Sequence, residues 1–381
     1  MCGRSHTFAA TLTAACLLAA CDKAGSSAAS RPAASAPAQT QPTPAVLEVV
    51  WRYSGGASFE TSPAAADGTL YLGDTAGTLH ALDAATGLPR WRRALGRRLT
   101  APPVADRPTV YVGDLDGVLH AVDAASGETR WTFQCKGTFW AGVTIVEDGV
   151  LAADETGQVV RLDANGLQRW SWQGPNRINA AAVIWKGLAV FAGCDGELHG
   201  LRLADGAEQL KFSLGDPAGA TPLLVGDTAI VGVAGGRVVA VDLAAGKEAW
   251  SYQGDSTEMV YGAPVRGGEL VLVGIGEQVH AIGAADGRKR WVWAAEAGVE
   301  AAVVVAEGVI YVCTLDGHLY ALEVSTGQLL GRFAAGGAIS AAPVVRGERV
   351  TVADRSGVVY SCSTYLPAGK TGSGVVKQQG R

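Results

Sequence analysis

A motif of twelve residues occurs twice in this chain. The stretch HALDAATGLPRW (residues 80–91) returns forty positions later as HAVDAASGETRW (residues 120–131), with eight letters unchanged. The position of the final tryptophan recurs at intervals of 39–41 residues, as Trp51, Trp91, Trp131, Trp170, Leu210, Trp250, Trp291 and Gly331. Because recurrence at a fixed period is typical of repeat architectures, the chain contains eight copies of one structural unit.

Each unit consists of four short segments separated by turns rich in Gly and Asp. In the first complete copy these segments are TSPAAADG, TLYLGD, TLHALD and PRWRRAL. Alternating apolar and polar residues between such turns predict strands rather than helices. Four-stranded units repeated about every 40 residues are the blades of a β-propeller, so we expect an all-β, eight-bladed propeller.

The two ends of the repeat region complement each other. Residues 339–362 provide three strands but no tryptophan strand, whereas VVWRYSG (residues 49–55) is a tryptophan strand without a unit of its own. An open sheet edge invites pairing with other chains. We therefore expect the N-terminal strand to pair with the last three strands and to close the ring.

The turn Ala-x-Asp-x-x-Thr-Gly followed by Trp resembles the pyrroloquinoline quinone (PQQ) repeat family, over residues 47–365. This resemblance implies that a turn glycine docks against the tryptophan of a neighbouring blade. The residues to which it assigns this role are Trp51, Trp91, Trp131, Trp170, Trp250, Trp291, Gly87, Gly127, Gly166, Gly246 and Gly287. Arg202 and Leu210 replace the Asp and Trp of the fourth unit, and Glu323 and Gly331 replace those of the seventh. Gly283 replaces the Asp of the sixth unit, and we expect these three blades to be the loosest.

The N-terminal segment predicts export and lipid attachment. Arg4 precedes an apolar run that begins at Phe8 and ends in Leu-Ala-Ala-Cys at residues 18–21. The run is too short to span a membrane and polar sequence follows it, which is typical of a signal peptide. Leu-Ala-Ala-Cys resembles a bacterial lipobox, which implies cleavage before Cys21 and lipidation of its sulfur.

The composition changes again on either side of the repeats. Residues 22–45 are rich in Ala, Ser, Pro and Gln, which predicts a disordered tether. The expected organisation is a signal peptide at 1–20, the lipidated cysteine and tether at 21–46, the propeller at 47–365 and a disordered polar tail at 366–381. The resemblance implies a periplasmic protein anchored to the outer membrane, whereas Asp22 after the cysteine leaves the inner membrane open.

Charge and composition argue against nucleic-acid binding. The formal net charge is -5, although five arginines occur within the nine residues RWRRALGRR (90–98). Nucleic-acid recognition needs a broad basic face together with stacking aromatic residues. We therefore interpret the arginine run as a solvated strand and loop.

Four histidines invite a metal-binding interpretation. His80, His120, His199 and His280 occupy the same strand position in four different blades. Because packed sheets lie about 10 Å apart, equivalent positions cannot converge on one ion whose ligand nitrogens must lie about 2 Å away. The sequence predicts that these histidines pack between blades and that the chain holds no metal.

The PQQ-repeat resemblance also raises the quinoprotein dehydrogenases, which hold PQQ and calcium at the propeller axis. This chain lacks their vicinal cysteine pair and their long insertions. The predicted axis residues are small: Thr61, Thr100, Gly142, Ala180, Ala220, Gly262, Ala301 and Ala341. The predicted rim of one channel mouth is Glu60, Leu99, Ala141, Asn179, Gly219, Tyr261, Glu300 and Ser340. We expect a protein that is not an enzyme and binds neither PQQ nor calcium.

A binding scaffold remains, because the lipobox, blade count and length resemble the BamB-like lipoproteins of the outer-membrane β-barrel assembly machinery. That family binds the periplasmic POTRA domains of the central barrel protein. The most distinctive loops are CKGTFW, PNRI and DSTEMVY, and the predicted partner-binding residues are Trp140, Arg177, Met259, Tyr261, Glu60 and Glu300. A propeller that binds another envelope protein or a cell-wall ligand stays open, as does a quinoprotein enzyme. Trp140 and Tyr261 plugging the channel mouth is a further alternative.

Four cysteines lie in the repeat region: Cys135, Cys194, Cys313 and Cys362. An oxidising compartment permits pairing, and Cys313 with Cys362 forms the most plausible bridge. Buried free thiols are nevertheless the default for cysteines in a core.

Overall fold

The computed structural model describes residues 44–365, which form eight β-sheets. Two N-terminal strands come first, β1 (Ala45–Val46) and β2 (Val49–Ser54). Blades 1 to 4 follow, as β3 (Ala64–Ala66), β4 (Thr69–Gly73), β5 (Thr78–Asp83), β6 (Pro89–Ala94); β7 (Val104–Asp106), β8 (Thr109–Gly113), β9 (Val118–Asp123), β10 (Thr129–Gln134); β11 (Thr144–Val146), β12 (Gly149–Ala153), β13 (Gln158–Asp163), β14 (Gln168–Gln173); β15 (Val183–Trp185), β16 (Leu188–Ala192), β17 (Glu197–Arg202), β18 (Glu208–Ser213).

Blades 5 to 8 continue the pattern, and one 3-10 turn, Ala234–Gly236, separates the second and third strands of blade 5. Their strands are β19 (Leu223–Val225), β20 (Thr228–Val233), β21 (Arg237–Asp242), β22 (Lys247–Gln253); β23 (Val265–Gly267), β24 (Leu270–Ile275), β25 (Gln278–Gly283), β26 (Lys289–Ala294); β27 (Val304–Ala306), β28 (Val309–Cys313), β29 (His318–Glu323), β30 (Leu329–Ala334); β31 (Val344–Arg346), β32 (Arg349–Ala353), β33 (Val358–Ser363).

The strands of each blade run antiparallel in sequence order, as in β3-β4-β5-β6. First strands of neighbouring blades touch each other, including β3 with β7, β27 with β31 and β31 with β3. The first strands therefore surround the axis, and the fourth strands form the perimeter. The core lies between blades, where Trp51 and Tyr53 of blade 8 pack against Phe59, Leu70 and Leu72 of blade 1.

Burial along each strand explains its sequence pattern. Every residue of β4 (TLYLG) is buried, because neighbouring blades cover both faces of that strand. In β2 (VVWRYS) only Trp51 and Tyr53 are buried, since the perimeter strand meets a neighbour on one face. Continuous apolar runs and strict alternation thus mark different positions within one blade.

The ring closes as the sequence predicts. Strand β2 pairs antiparallel with β33, with Trp51 opposite Ser361, and the sheet order is β2-β33-β32-β31. The N-terminal tryptophan strand therefore completes the eighth blade, which confirms the eight-bladed propeller.

Strand β1 adds a contact that the sequence did not predict. It pairs parallel with the perimeter strand β30, with Ala45 opposite Gly331. A Cβ atom on Gly331 would lie 3.2 Å from the Ala45 carbonyl oxygen and 3.3 Å from Cδ2 of Leu47, which is 3% exposed. Because Gly331 has no side chain, the position makes room for the N-terminal segment. Ala45 and Val46 fall at the end of the predicted tether.

Glycine and tryptophan residues meet at six junctions between blades. A Cβ on any of these glycines would lie 2.5–2.8 Å from an indole carbon, so only glycine fits. Each indole Nε1 also donates to a carbonyl in the same turn, at 2.8–3.3 Å. The pairs are Trp51 with Gly87, Trp91 with Gly127, Trp131 with Gly166, Trp170 with Gly206, Trp250 with Gly287, and Trp291 with Gly327.

The docking list from the sequence needs two corrections. Gly206 and Gly327 receive a tryptophan although the repeat resemblance did not single them out. Gly246, which it did single out, has no atom within 4 Å of its Cβ position. Each turn glycine receives the tryptophan of the preceding unit, and Leu210 takes that position before Gly246.

Candidate partner-binding surface

Antiparallel strands place the connections of each blade on two opposite faces. One face carries the turns between second and third strands and the connections that lead to the next blade. We call this the loop face; its connections are residues 55–63, 95–103, 135–143, 174–182, 214–222, 254–264, 295–303 and 335–343. The opposite turn face carries the two remaining tight turns of each blade. All six predicted partner-binding residues lie in loop-face connections: Glu60, Trp140, Arg177, Met259, Tyr261 and Glu300.

Every loop-face connection has a buried apolar anchor followed by a rim residue. The anchors are at most 3% exposed: Phe59, Leu99, Phe139, Ile178, Ala218, Val260, Val299 and Ile339. Three of them, such as Phe59 with Asp74, form an isolated bridge to the end of the second strand or to the residue just after it. The anchor fixes the register, so the rim residues that follow are Glu60, Thr100, Trp140, Asn179, Gly219, Tyr261, Glu300 and Ser340.

This register corrects the predicted rim in two blades. Leu99 is an anchor and is 1% exposed, so Thr100 takes the rim position in blade 2. In blade 3 the rim residue is Trp140 rather than Ala141. The same slip moves the predicted axis residues Thr100 and Gly142 to Ala101 and Ala141. The residue spacing does not distinguish an anchor such as Leu99 from the rim residue after it. In the structure, the bridge from Leu99 to Asp114 identifies it.

Two loop-face regions present large side chains. Tyr261 is 47% exposed, and half-buried Met259 lies beside it with its sulfur 3.4 Å from the Cβ position of Gly219 in the preceding connection. Half-buried Trp140 donates from Nε1 to Glu155 Oε2 at 3.2 Å. Arg177 is exposed on the blade 3 to blade 4 connection. The loop face therefore offers an aromatic and thioether surface at blades 5 and 6 and a second aromatic at blade 3.

An acidic pocket adjoins Met259. It has a volume of about 330 Å³ and is lined by Asp255, Ser256, Glu258, Ile275, Gly276, Glu277 and Gln278. The carboxylates of Asp255, Glu258 and Glu277 give it negative charge, and the side-chain oxygen of Gln278 is buried without a hydrogen bond. This part of the loop face is suited to basic groups.

The two rim carboxylates do not act as a pair. Glu60 accepts hydrogen bonds from the Arg98 guanidinium and, at 3.4 Å, from the hydroxyl of Ser58. Glu300 has no hydrogen bond or ion pair with any residue between 44 and 365. Within that range no group of three or more His, Cys, Asp or Glu is placed to hold an ion. The rim does not fit the calcium site of a quinoprotein dehydrogenase.

The four histidines are buried between blades, at 0–5% exposure, as the sequence predicts. His80 is typical: Nε2 lies 2.8 Å from Asp74 Oδ2, and Nδ1 lies 2.9 Å from the Tyr53 hydroxyl of the adjacent blade. His120 pairs with Asp114, and His199 with Asp195 and Glu208. In these three histidines at least one ring nitrogen is therefore held by a carboxylate.

His280 differs from the other three. Its Nδ1 lies 2.8 Å from the Tyr252 hydroxyl, but Nε2 has no partner, because Ile275 stands at the turn position that holds Asp74 in blade 1. Burial lowers the pKa of His280 to about 4, against the opposing effect of the Asp255 carboxylate. This ring is neutral at physiological pH.

The four cysteines are buried free thiols, including Cys313 and Cys362, the pair that the sequence favoured for a bridge. Burial raises the pKa of Cys135 and of Cys362 to about 12, and it also raises the pKa of Cys313. A thiol with so high a pKa is a poor nucleophile, because the thiolate is the reactive species. These cysteines behave as core residues.

The fold and the docking motif define an eight-bladed propeller of the PQQ-repeat class. A family model described as outer membrane protein assembly factor BamB matches residues 47–112, 94–223 and 234–364. These segments cover most of the chain, so the protein belongs to the BamB family. Cys21 and Asp22, the predicted lipidation site and its neighbour, lie outside the described residues, as does the tail from 366. No helix within residues 44–365 is long and apolar enough to cross a membrane.

Solved structures share the fold. BamB from Moraxella catarrhalis has a TM-score of 0.72 at 19% identity, covering 84% of this chain and 100% of that chain. The computationally designed Ika8 protein has a TM-score of 0.71 at 16% identity, covering 82% and 98%. Saccharomyces cerevisiae Sqt1 reaches 0.73 at 10% identity, covering 84% and 99%. Because proteins as different as these share one architecture, the fold alone does not specify a function.

One curated relative is much longer than this chain. Serine/threonine-protein kinase AfsK of Streptomyces griseus is 30% identical over 211 residues, which are 51% of this chain and 26% of the kinase. The match is thus limited to about a quarter of the kinase.

Proposed function

We propose that this protein is a non-enzymatic scaffold for the assembly of outer-membrane β-barrel proteins. In this proposal Cys21 carries the lipid anchor in the periplasmic leaflet of the outer membrane, and residues 22–46 connect it to the propeller. The loop face binds the POTRA domains of the central barrel protein. The observation that carries the proposal is the exposed Tyr261, with Met259 and an acidic pocket beside it, on a BamB-family propeller.

The chemistry of this surface defines the partner surface that would fit it. Aromatic residues dominate the energetics of many interfaces, and the flexible thioether of methionine adapts to irregular apolar partners. The carboxylates of Asp255, Glu258 and Glu277 favour basic side chains next to that apolar contact. The complementary POTRA surface should therefore combine an apolar patch with lysine or arginine, and added salt should slow association.

A pull-down tests the proposal directly. The tagged full-length lipoprotein is recovered from gently solubilised membranes, and its partners are identified by mass spectrometry. We expect a POTRA-containing barrel protein. A Cys21→Ser variant of the same chain is the matched control, because it keeps the propeller and removes the lipid. Recovery of only inner-membrane or cell-wall proteins would contradict the proposal, and the inner membrane suggested by Asp22 would then be favoured.

The proposal requires neither PQQ nor calcium. A quinoprotein dehydrogenase would bind both, and the bound quinone would change its absorbance spectrum. We expect no saturable spectral change when PQQ and calcium are added to the purified protein. Saturable binding together with alcohol-dependent dye reduction would replace the scaffold proposal with an enzymatic one.

A further inference from the structure

One junction between blades lacks the group that fills six others. Leu210 stands on β18 where the preceding and following perimeter strands carry Trp170 and Trp250. Leu210 is too short to reach the next turn, because no atom lies within 4 Å of the Cβ position of Gly246. The junction between blades 4 and 5 therefore contains an unfilled slot of the same design as its neighbours.

The exposure of the turn that contains Gly246 also indicates an unfilled slot. Gly246 is exposed, whereas five of the six glycines beneath a tryptophan are buried and Gly166 is half-buried. In the filled junctions the indole nitrogen donates to the carbonyl of the residue that directly follows the third strand of the next blade, as Trp170 does to Leu203 after β17. Leu243 is the equivalent residue here, and its carbonyl accepts no hydrogen bond from any residue in the 44–365 range. Both the stacking surface and the acceptor for an indole are thus present without the indole.

None of the tryptophans in the sequence fills the slot over Gly246. The chain contains 10 tryptophans, and all of them lie between residues 51 and 293, on strands or loops of the structure. The residues outside the structure, 1–43 and 366–381, contain no tryptophan and a single aromatic residue, Phe8, which falls in the predicted signal peptide. Residues 1–43 and 366–381 therefore do not supply an indole, and we take the occupant from another molecule.

The seventh blade shows how an added segment fills such a position. Strand β1 lies alongside β30, and Leu47, just beyond it, packs against Gly331, where the repeat would carry a tryptophan. The outer edge of β18 pairs with no strand among residues 44–365 and is open to the same mode of addition. An extended segment beside β18 would deliver one of its side chains into the slot over Gly246.

We propose that the slot formed by Leu210, Leu243 and Gly246 binds a tryptophan side chain presented by an extended segment of a partner polypeptide. Burial of an indole provides a large apolar contact, and its N–H finds an acceptor in the Leu243 carbonyl. The slot lies at the perimeter on the turn face, opposite the loop face assigned to the POTRA partner. The two sites are therefore independent, and either can fail without the other.

A short peptide tests the slot. The probe is the capped pentapeptide Ser-Thr-Trp-Thr-Ser, in which the tryptophan is 5-fluorotryptophan, and its binding is followed by fluorine NMR. A second sample contains the protein with labelled leucine methyl groups. We expect the fluorine signal of the peptide to broaden on binding. We also expect bound peptide to shift the methyl resonances of Leu210 and Leu243. Replacement of the peptide tryptophan by alanine should remove both effects.

Two protein variants and one small molecule complete the test. Leu210→Trp fills the slot from within and should weaken peptide binding at least about tenfold, or 1.4 kcal/mol. A double variant of the loop face, Trp140→Ala with Tyr261→Ala, should bind the peptide unchanged. Equal binding to wild type and to Leu210→Trp would overturn the proposal, as would unshifted Leu210 and Leu243 methyl groups at millimolar peptide. If N-acetyl-tryptophanamide binds as tightly as the peptide, the polypeptide partner is wrong and the slot takes free aromatic compounds.

Discussion

The junctions between blades and the connections of the loop face arise from the same repeat but keep different parts of it. Six junctions repeat one contact, a glycine under an indole whose nitrogen donates to the turn carbonyl. The eight connections keep only a buried anchor, and the residue after it changes from Glu60 to Trp140 to Gly219. Stability is therefore concentrated where the repeat is uniform, and chemical variety where it is not.

The largest expected effect is on a filled junction. Trp170 is 8% exposed and covers Gly206, so Trp170→Ala should lower the free energy of unfolding by about 3–5 kcal/mol. Leu210→Ala at the unfilled junction is the matched control and should cost about 1–2 kcal/mol, because Leu210 is half-buried and does not reach Gly246. Denaturant unfolding measures both, and equal losses would show that the two junctions do not differ.

Acid should destabilise the fold through the buried His280. Its folded pKa of about 4 lies below the ordinary value of 6.5, so the unfolded chain binds the proton first. Stability is full above pH 6.5 and falls as the pH drops from 6.5 to 4, by about 3 kcal/mol in total. Arg90 lowers the pKa of Asp83 to about 2, so that carboxylate adds its loss only below pH 4.

The variant His280→Gln keeps a hydrogen-bonding side chain next to Tyr252 and removes the titration. Its stability should be nearly constant between pH 6.5 and 4 where that of the wild type declines. If both proteins lose stability in parallel across this interval, another group is responsible.

The N-terminal segment gives a smaller effect at the junction that has glycine in place of tryptophan. Leu47→Ala should cost about 2–3 kcal/mol, because the side chain is 3% exposed and packs against Gly331. Val46→Ala on the same strand is the control, and at 76% exposure it should change stability by less than about 0.5 kcal/mol. Thermal unfolding of both variants distinguishes a packed segment from a strand that only lies on the surface.

Much of the architecture could be predicted because the repeat carries it. The tryptophan spacing gave the blade count, and the incomplete units at the two ends gave the pairing of β2 with β33. Strand β1 was not predictable, because Ala45 and Val46 follow a run of Ala and Pro and have no pattern of their own. The rim register failed in blades 2 and 3, because an anchor such as Leu99 is distinguished by its bridge to Asp114 and not by its spacing.

The docking glycines show a similar limit. The docking glycines were chosen from units that match the consensus, whereas each glycine contacts the tryptophan of the preceding unit. Gly206 and Gly327 were therefore missed and Gly246 was included. Leu210, at the tryptophan position of the unit before Gly246, could have shown that Gly246 receives no indole. A repeat predicts a contact between two units reliably only when the residues at both positions, one in each unit, are checked.

The loop face should show the reverse of the junctions, a small effect on stability and a large one on binding. The double variant Trp140→Ala with Tyr261→Ala should change the melting temperature little, because Tyr261 is exposed and Trp140 is half-buried at the rim. The matched control is Leu88→Ala with Leu167→Ala, two side chains of the turn face that are 65% and 62% exposed.

The measurement that tests the central claim most directly is the affinity of purified POTRA domains for the wild type and these two double variants. We expect the loop-face variant to bind at least about tenfold more weakly, a loss of 1.4 kcal/mol or more, and the turn-face control to bind like the wild type. Equal affinity of all three proteins, or an equal loss in the control, would contradict the assignment of the loop face as the partner-binding surface.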